Sequence, residues 1–227
     1  SPALGQGELL GVVARRRRGL GDYRESLALL EKQARVLDTT PDAPDSLRLQ
    51  AATQHGRVLR LLGRSRQCVQ AMAQMEARLP GLSSRLPLPV AEFQSQNGRC
   101  RADAGEKQVA RQMFERSLDT RRSLKDEAGV AENLRDLAQL DVELGNAEAG
   151  VRGYRAALAH LQAHGYARHP LVIEIQRSLA LLYRNRGETD AALASFQRAR
   201  ELSEEIHGPR HPLTQALRRH IAAVHVD

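Results

Sequence analysis

Aromatic side chains are scarce in this sequence: three Phe, four Tyr and no Trp among 227 residues. A nucleic-acid surface built to stack bases needs such rings interleaved with basic residues, so nucleic acid is not the expected partner. Cysteine is nearly absent too. Cys68 and Cys100 are too few for a disulfide framework, and neither falls in a CxxC or a metal-ligand spacing. A single bridge between them stays open, because they lie on elements expected to be adjacent, and the redox compartment is left undetermined. No run approaches the roughly 18 to 20 apolar residues of a membrane span. The opening Ser1-Pro2-Ala3-Leu4 lacks the charged-then-apolar order of a signal peptide. The expectation is a soluble chain, cytoplasmic rather than periplasmic. It begins without methionine and enters its first helical pattern at once, which reads as a segment of a longer protein.

Catalytic motifs are missing as well. There is no Gly-x-Ser-x-Gly elbow, no kinase motif and no Cys-His pairing. Gly5-Gln6-Gly7 and Gly19-Leu20-Gly21 lack the strand-to-helix setting of a phosphate loop. His160 and His164 stand one helical turn apart, with His169 close behind, but no cysteine or carboxylate sits at ligand spacing. They read as solvent-facing, and neither a metal nor a cofactor is expected. The segment is expected to be non-enzymatic.

What the sequence does contain is a repeat. Gly21, Gly63, Gly105, Gly145 and Gly187 follow one another at intervals of 42, 42, 40 and 42 residues, each after a helical run and before a polar turn. With each glycine set as position 15 of its unit, position 8 reads Ala14, Gly56, Gly98, Ala138, Ala180 and, in a last partial unit, Ala222. Position 20 reads Ser26, Cys68, Ala110, Gly150 and Ala192, and position 24 reads Leu30, Met72, Phe114, Tyr154 and Phe196. Two small residues where helices cross, filled by one large residue from the partner, is the requirement of a tightly packed helical hairpin.

This pattern resembles the tetratricopeptide-repeat family, most explicitly in Leu179-Ala180, Tyr183, Gly187, Ala192, Phe196 and Ala199. The pairs His169-Pro170 and His211-Pro212 and the run Glu204-Glu205-Ile206-His207-Gly208 resemble the 42-residue, kinesin-light-chain-like subclass, which is frequent in bacterial signalling proteins. The resemblance implies an all-α fold, a right-handed superhelical solenoid of antiparallel helix hairpins. Five units near 5–40, 45–82, 88–124, 128–165 and 170–208 and a capping helix near 212–226 would form one domain. First helices are expected near 5–19, 45–61, 88–103, 128–143 and 170–185, and second helices near 22–37, 64–79, 106–122, 147–163 and 188–206. Asp45 after Pro44 reads as a helix cap, and the closing helix is expected to turn Arg218 and two histidines outward. His55 and Asn97 replace the usual leucine at position 7, and Gln33 is polar at position 27. For His55 and Asn97 an internal hydrogen bond and a polar spot opening onto the groove both remain open.

The family places ligand contacts on first helices at positions 2, 5, 9 and 12. Position 9 here is Arg15, Arg57 and Arg99, position 12 adds Arg18 and Arg60, and position 5 is Arg135, Arg177 and Arg219. Residues 1–112 carry the whole formal excess of +7. Arginine forks carboxylates and stays charged, so a groove lined this way is expected to take a protein or peptide that is acidic. Acidic residues at position 2, Glu8, Glu92, Glu132 and Glu174, compete for the same guanidinium groups. In Arg15-Arg16-Arg17-Arg18 only Arg15 and Arg18 can share a helix face, so no focused phosphate site is expected. Two functions fit: a sensor or regulatory domain of a larger bacterial signalling protein, such as a Ser/Thr kinase or a transcription regulator, or a passive scaffold for complex assembly.

Overall fold

The computed structural model describes residues 2–224, and every regular element among them is helical. Eleven α-helices follow in order: α1 Pro2–Gly19, α2 Tyr23–Asp38, α3 Asp45–Leu61, α4 Ser65–Glu76, α5 Pro87–Asp103, α6 Lys107–Ser123, α7 Glu127–Glu143, α8 Ala147–Ala163, α9 Pro170–Asn185, α10 Thr189–His207 and α11 Pro212–Val224. They fall into two compact units, Ser1–Leu124 and Lys125–Asp227. The first holds the hairpins α1/α2, α3/α4 and α5/α6, with α1, α3 and α5 side by side. The second holds α7/α8 and α9/α10, with α11 packed on α10.

Each hairpin turns on the repeated glycine. Gly21, Gly63, Gly105, Gly145 and Gly187 have φ of 84°, 70°, 90°, 86° and 74°, the left-handed region that a side chain disfavours. The residue after each glycine donates its N–H back to a carbonyl five residues earlier, as from Arg64 to Leu59 at 2.9 Å and from Glu106 to Arg101 at 2.8 Å. This is the Schellman closure, which satisfies carbonyls that a helix end leaves open.

Behind the turn, the small and large positions form the core. Ala14, Cys68, Ala110, Ala138, Ala180 and Ala192 are buried, as are Leu30, Met72, Phe114, Tyr154 and Phe196. A Cβ at Gly98 would meet the Phe114 ring at 2.7 Å, and one at Gly56 would meet the Met72 sulfur at 2.5 Å. Cys68 and Cys100, with Cα atoms 5.6 Å apart, are bonded and join α4 to α5.

The polar residues at core positions are resolved individually. Gln33 is 2% exposed; its Nε2 donates to the Gly7 carbonyl at 2.9 Å, and Gly11 makes room for the amide. Asn97 is fully buried and donates to Glu76 Oε2 at 3.1 Å, the carboxylate that also receives Arg101 at 2.7 Å. For Asn97, then, the internal hydrogen bond is the outcome.

Three local expectations change. α4 stops at Glu76 rather than near 79 and gives way to a single 3-10 turn at Leu79–Gly81, where Pro80 has no N–H with which to continue the helical ladder. Asp45 is the first residue of α3 and not its cap: its carboxylate holds Arg78 at 2.8 Å and Arg85 at 2.9 Å. His220 stacks on Phe196, with centroids 5.1 Å apart, rather than turning outward with Arg218. The expected helix end at 226 and His225 lie outside the described residues.

The His-Pro pairs are helix starts. Proline occupies the first helical position, where its missing N–H costs nothing, and the preceding imidazole caps the turn. His169 Nδ1 accepts the Leu171 N–H at 3.2 Å, and His211 Nδ1 accepts that of Leu213 at 3.3 Å.

Candidate functional site

The position-9 and position-12 arginines of the first unit lie on its layer of first helices, Arg15 and Arg18 on α1, Arg57 and Arg60 on α3, and Arg99 on α5. All five are half-buried. Their neighbours differ. Arg60 donates its Nε to Asp103 Oδ2 at 2.7 Å, so α3 is tied to α5 and this guanidinium is already neutralised. Arg57 and Arg99 are engaged by neighbouring groups. Arg18 reaches instead to the neutral Gln54 carboxamide on α3.

Arg15 and Arg18 are brought together. Burial, and after it the positive charge of Arg15, lower the proton affinity of the Arg18 guanidinium. Among the described residues no carboxylate pairs with either side chain. This end of the layer therefore carries charge that the fold does not cancel, held in a half-desolvated setting where Coulombic interactions exceed their values in water.

The position-5 arginines lie in the second unit and are not equivalent. Arg135 is braced by Glu174 at 2.6 Å and by Asp136 at 2.9 Å. Arg177 and Arg219 are exposed; burial, and after it the positive charges of Arg184, Arg177 and Arg219, lower the proton affinity of His220. The expected competition from position 2 is thus seen for Glu174, which pairs with Arg135.

A feature of the first unit escapes any reading of first helices alone. A cavity of about 170 Å3 opens between α2, α3 and α4, with apolar walls from Leu30, Leu37, Ala51 and Met75 and polar edges at His55 and Arg48. His55, at a position where leucine is usual, faces this cavity. Burial holds its imidazole below its ordinary proton affinity, against a smaller opposing pull from Glu31. The unfolded chain then takes up this proton at a higher pH than the folded one. The stability contributed by neutral His55 is complete above the ordinary histidine range and is lost as pH falls through it. His55→Leu is expected to be more stable by about 1 kcal/mol at neutral pH through better apolar contact. The variant should also lose less stability than the parent between about pH 7.5 and 5.5 in urea titrations, and equal losses in the two proteins would remove the assignment.

No curated protein matches the sequence. A family model described as tetratricopeptide repeat matches residues 171–227. Among solved structures, a kinesin-light-chain protein of nearly identical TPR-like repeats from Podosopora anserina superposes with a TM-score of 0.63 at 20% identity, covering 89% of this chain and 98% of that one. A thermophilic TPR protein of Thermus thermophilus gives 0.65 at 19% identity over 97% of this chain and 100% of its own. The Rap conjugation gene regulator of the plasmid pLS20, solved in complex with the Phr* peptide, gives 0.76 at 14% identity; the match covers 94% of this chain and 56% of that chain. These identities speak to the fold alone. No helix among the described residues is long and apolar enough to cross a membrane. Residues 171–227 thus resemble the tetratricopeptide repeat in sequence, and the helices before them share the fold of solved tetratricopeptide-repeat proteins.

Proposed function

We propose that the chain binds an acidic polypeptide across the arginines of α1, α3 and α5, and that it is the sensor or regulatory domain of a larger bacterial, cytoplasmic signalling protein such as a Ser/Thr kinase or a transcription regulator. The observation that carries the acidic partner is the Arg15–Arg18 pair, two half-buried guanidinium groups with no carboxylate among the described residues. An extended peptide with acidic side chains would supply the missing counter-charge in bidentate geometry. Arg57, Arg60 and Arg99 continue the same layer, while Arg135 and Arg177 offer a second, weaker contact in the other unit. The regulatory role draws on the Rap conjugation gene regulator, a protein of like fold solved with a bound peptide.

The passive-scaffold reading has its own support. Arg60–Asp103 and Arg135–Glu174 brace first helices of successive hairpins and oppose rearrangement. The two readings part in solution scattering, where a sensor changes its radius of gyration on ligand binding and a scaffold keeps it. For the partner's chemistry, anisotropy titration compares a glutamate-rich twelve-residue peptide with the same peptide carrying glutamine. The acidic peptide is expected to bind at least about tenfold more tightly, a gap that narrows with added salt. Equal affinity for the two would sink the acidic-peptide reading.

A further inference from the structure

The second unit holds a cluster that the arginines do not involve. His160 and His164 lie one turn apart at the end of α8, and Glu127 is the first residue of α7. Because the hairpin is antiparallel, the start of α7 comes to rest beside the end of α8, and the carboxylate missing at sequence spacing is supplied in space. His160 Nε2 lies 2.9 Å from Glu127 Oε2 and His164 Nε2 lies 3.6 Å from the same oxygen. One ligand atom from each of the three falls within 4.8 Å of the others. A tetrahedral zinc ion, with bonds of about 2.0 to 2.2 Å, sets its ligand atoms roughly 3.3 to 3.6 Å apart. Small side-chain rotations close the cluster to that spacing.

Three further details favour a cation here. The His164 Nδ1 lies 2.9 Å from the His160 carbonyl oxygen, so Nδ1–H donates to the backbone and Nε2 turns its lone pair toward the cluster. The His160 Nε2 is buried, and among the described residues it has no aligned hydrogen-bond partner despite its closeness to Glu127. A buried ring nitrogen in that condition needs an explanation, and a metal ion is one. The carbonyl end of α8, with His164 as its C-cap, adds the negative pole of a helix.

We propose that Glu127, His160 and His164 bind a zinc-class divalent ion at the open end of the α7/α8 hairpin. Two imidazoles and one carboxylate suit Zn2+ far better than Mg2+ or Ca2+, which take oxygen ligands. Three protein ligands leave the fourth tetrahedral position to water or to an outside donor. The ion clips the beginning of α7 to the end of α8.

Isothermal titration of the untagged chain with zinc chloride tests this. One saturable site per chain with a micromolar or tighter constant is expected, and no heat with magnesium chloride. Glu127→Gln and His164→Ala should each weaken zinc by more than about tenfold, since losing even a supporting partner commonly costs roughly 10- to 100-fold. The double change His207→Ala/His211→Ala, which removes the stacked imidazole pair at 4.5 Å elsewhere in this unit, should leave the affinity unchanged. Cobalt substitution should give the strong visible absorption of four-coordinate Co2+, lost in His164→Ala. Circular dichroism of each variant separates lost ligands from lost fold. Absence of one-to-one binding, affinity that survives His164→Ala in a folded protein, or binding lost only with His207 and His211 would overturn the site.

Discussion

Phe114→Ala is expected to lower stability in urea unfolding of the chain by about 4 kcal/mol, the cost of emptying a fully enclosed aromatic site. Phe114 is 2% exposed and lies against Gly98, where an added Cβ would meet ring carbons at 2.7 and 2.9 Å. Gly98→Leu on its own forces those groups apart and should cost about 3 kcal/mol by overpacking. Leucine's better helix propensity returns at most about 1 kcal/mol. The two changes combined exchange which helix carries the bulk. Their joint cost should fall short of the sum by about 2 kcal/mol or more, because one side chain then fills the space vacated by the other. Strict additivity would mean that the two positions do not share a volume, and the small-large pairing would lose its meaning as a packing rule.

The second large effect is electrostatic. Arg15→Glu with Arg18→Glu should weaken binding of a glutamate-rich peptide by at least about 100-fold at low salt, since each change replaces an attraction by a repulsion of like size. Both side chains are half-buried on the exposed run of α1, and Arg18 loses only its contact with Gln54, so the fold should tolerate the exchange. Arg60→Gln serves as contrast. Its guanidinium is already spent on Asp103 at 2.7 Å, so affinity should fall by no more than about threefold. If the double reversal changes nothing while circular dichroism shows an intact fold, the acidic peptide binds elsewhere.

The hairpins were legible in the sequence because their determinants are local and repeated. A left-handed turn needs glycine, and the helix crossings need Ala14, Gly56 or Ala180 opposite Leu30, Met72 or Phe196; both requirements recur within one unit of sequence. The rest depended on partners far apart in the chain. Gln33 stood out only as a polar residue at position 27; the groups that accommodate it, Gly7 and Gly11, lie 26 and 22 residues earlier. Asp45 looked like a cap because its neighbour is proline; the arginines that claim it, Arg78 and Arg85, arrive only after the next helix has folded back. The arginine series was legible as a pattern, but equal spacing concealed unequal surroundings. Arg18 meets an uncharged Gln54 where Arg60 meets Asp103, and only the tertiary fold brings those partners in. Glu127 is the sharpest case: no spacing rule links it to His160 and His164, and the antiparallel hairpin alone places them together.

The two ends of each hairpin also differ in what they allow to change. Within hairpins the connecting segments are 20–22, 62–64, 104–106, 144–146 and 186–188, three residues every time. After each hairpin the connections run over 39–44, 77–86, 124–126, 164–169 and 208–211, from three residues to ten. One end is a fixed-length corner whose glycine geometry has no slack, so an added residue there would rotate the second helix out of register with the first. The other end absorbs length freely, because surface loops lengthen at small entropic cost. For protein engineering this sorts the chain into forbidden and permitted splice points: a fluorophore, an epitope or a whole inserted domain belongs beside the exposed Ser84, and never beside Gly105.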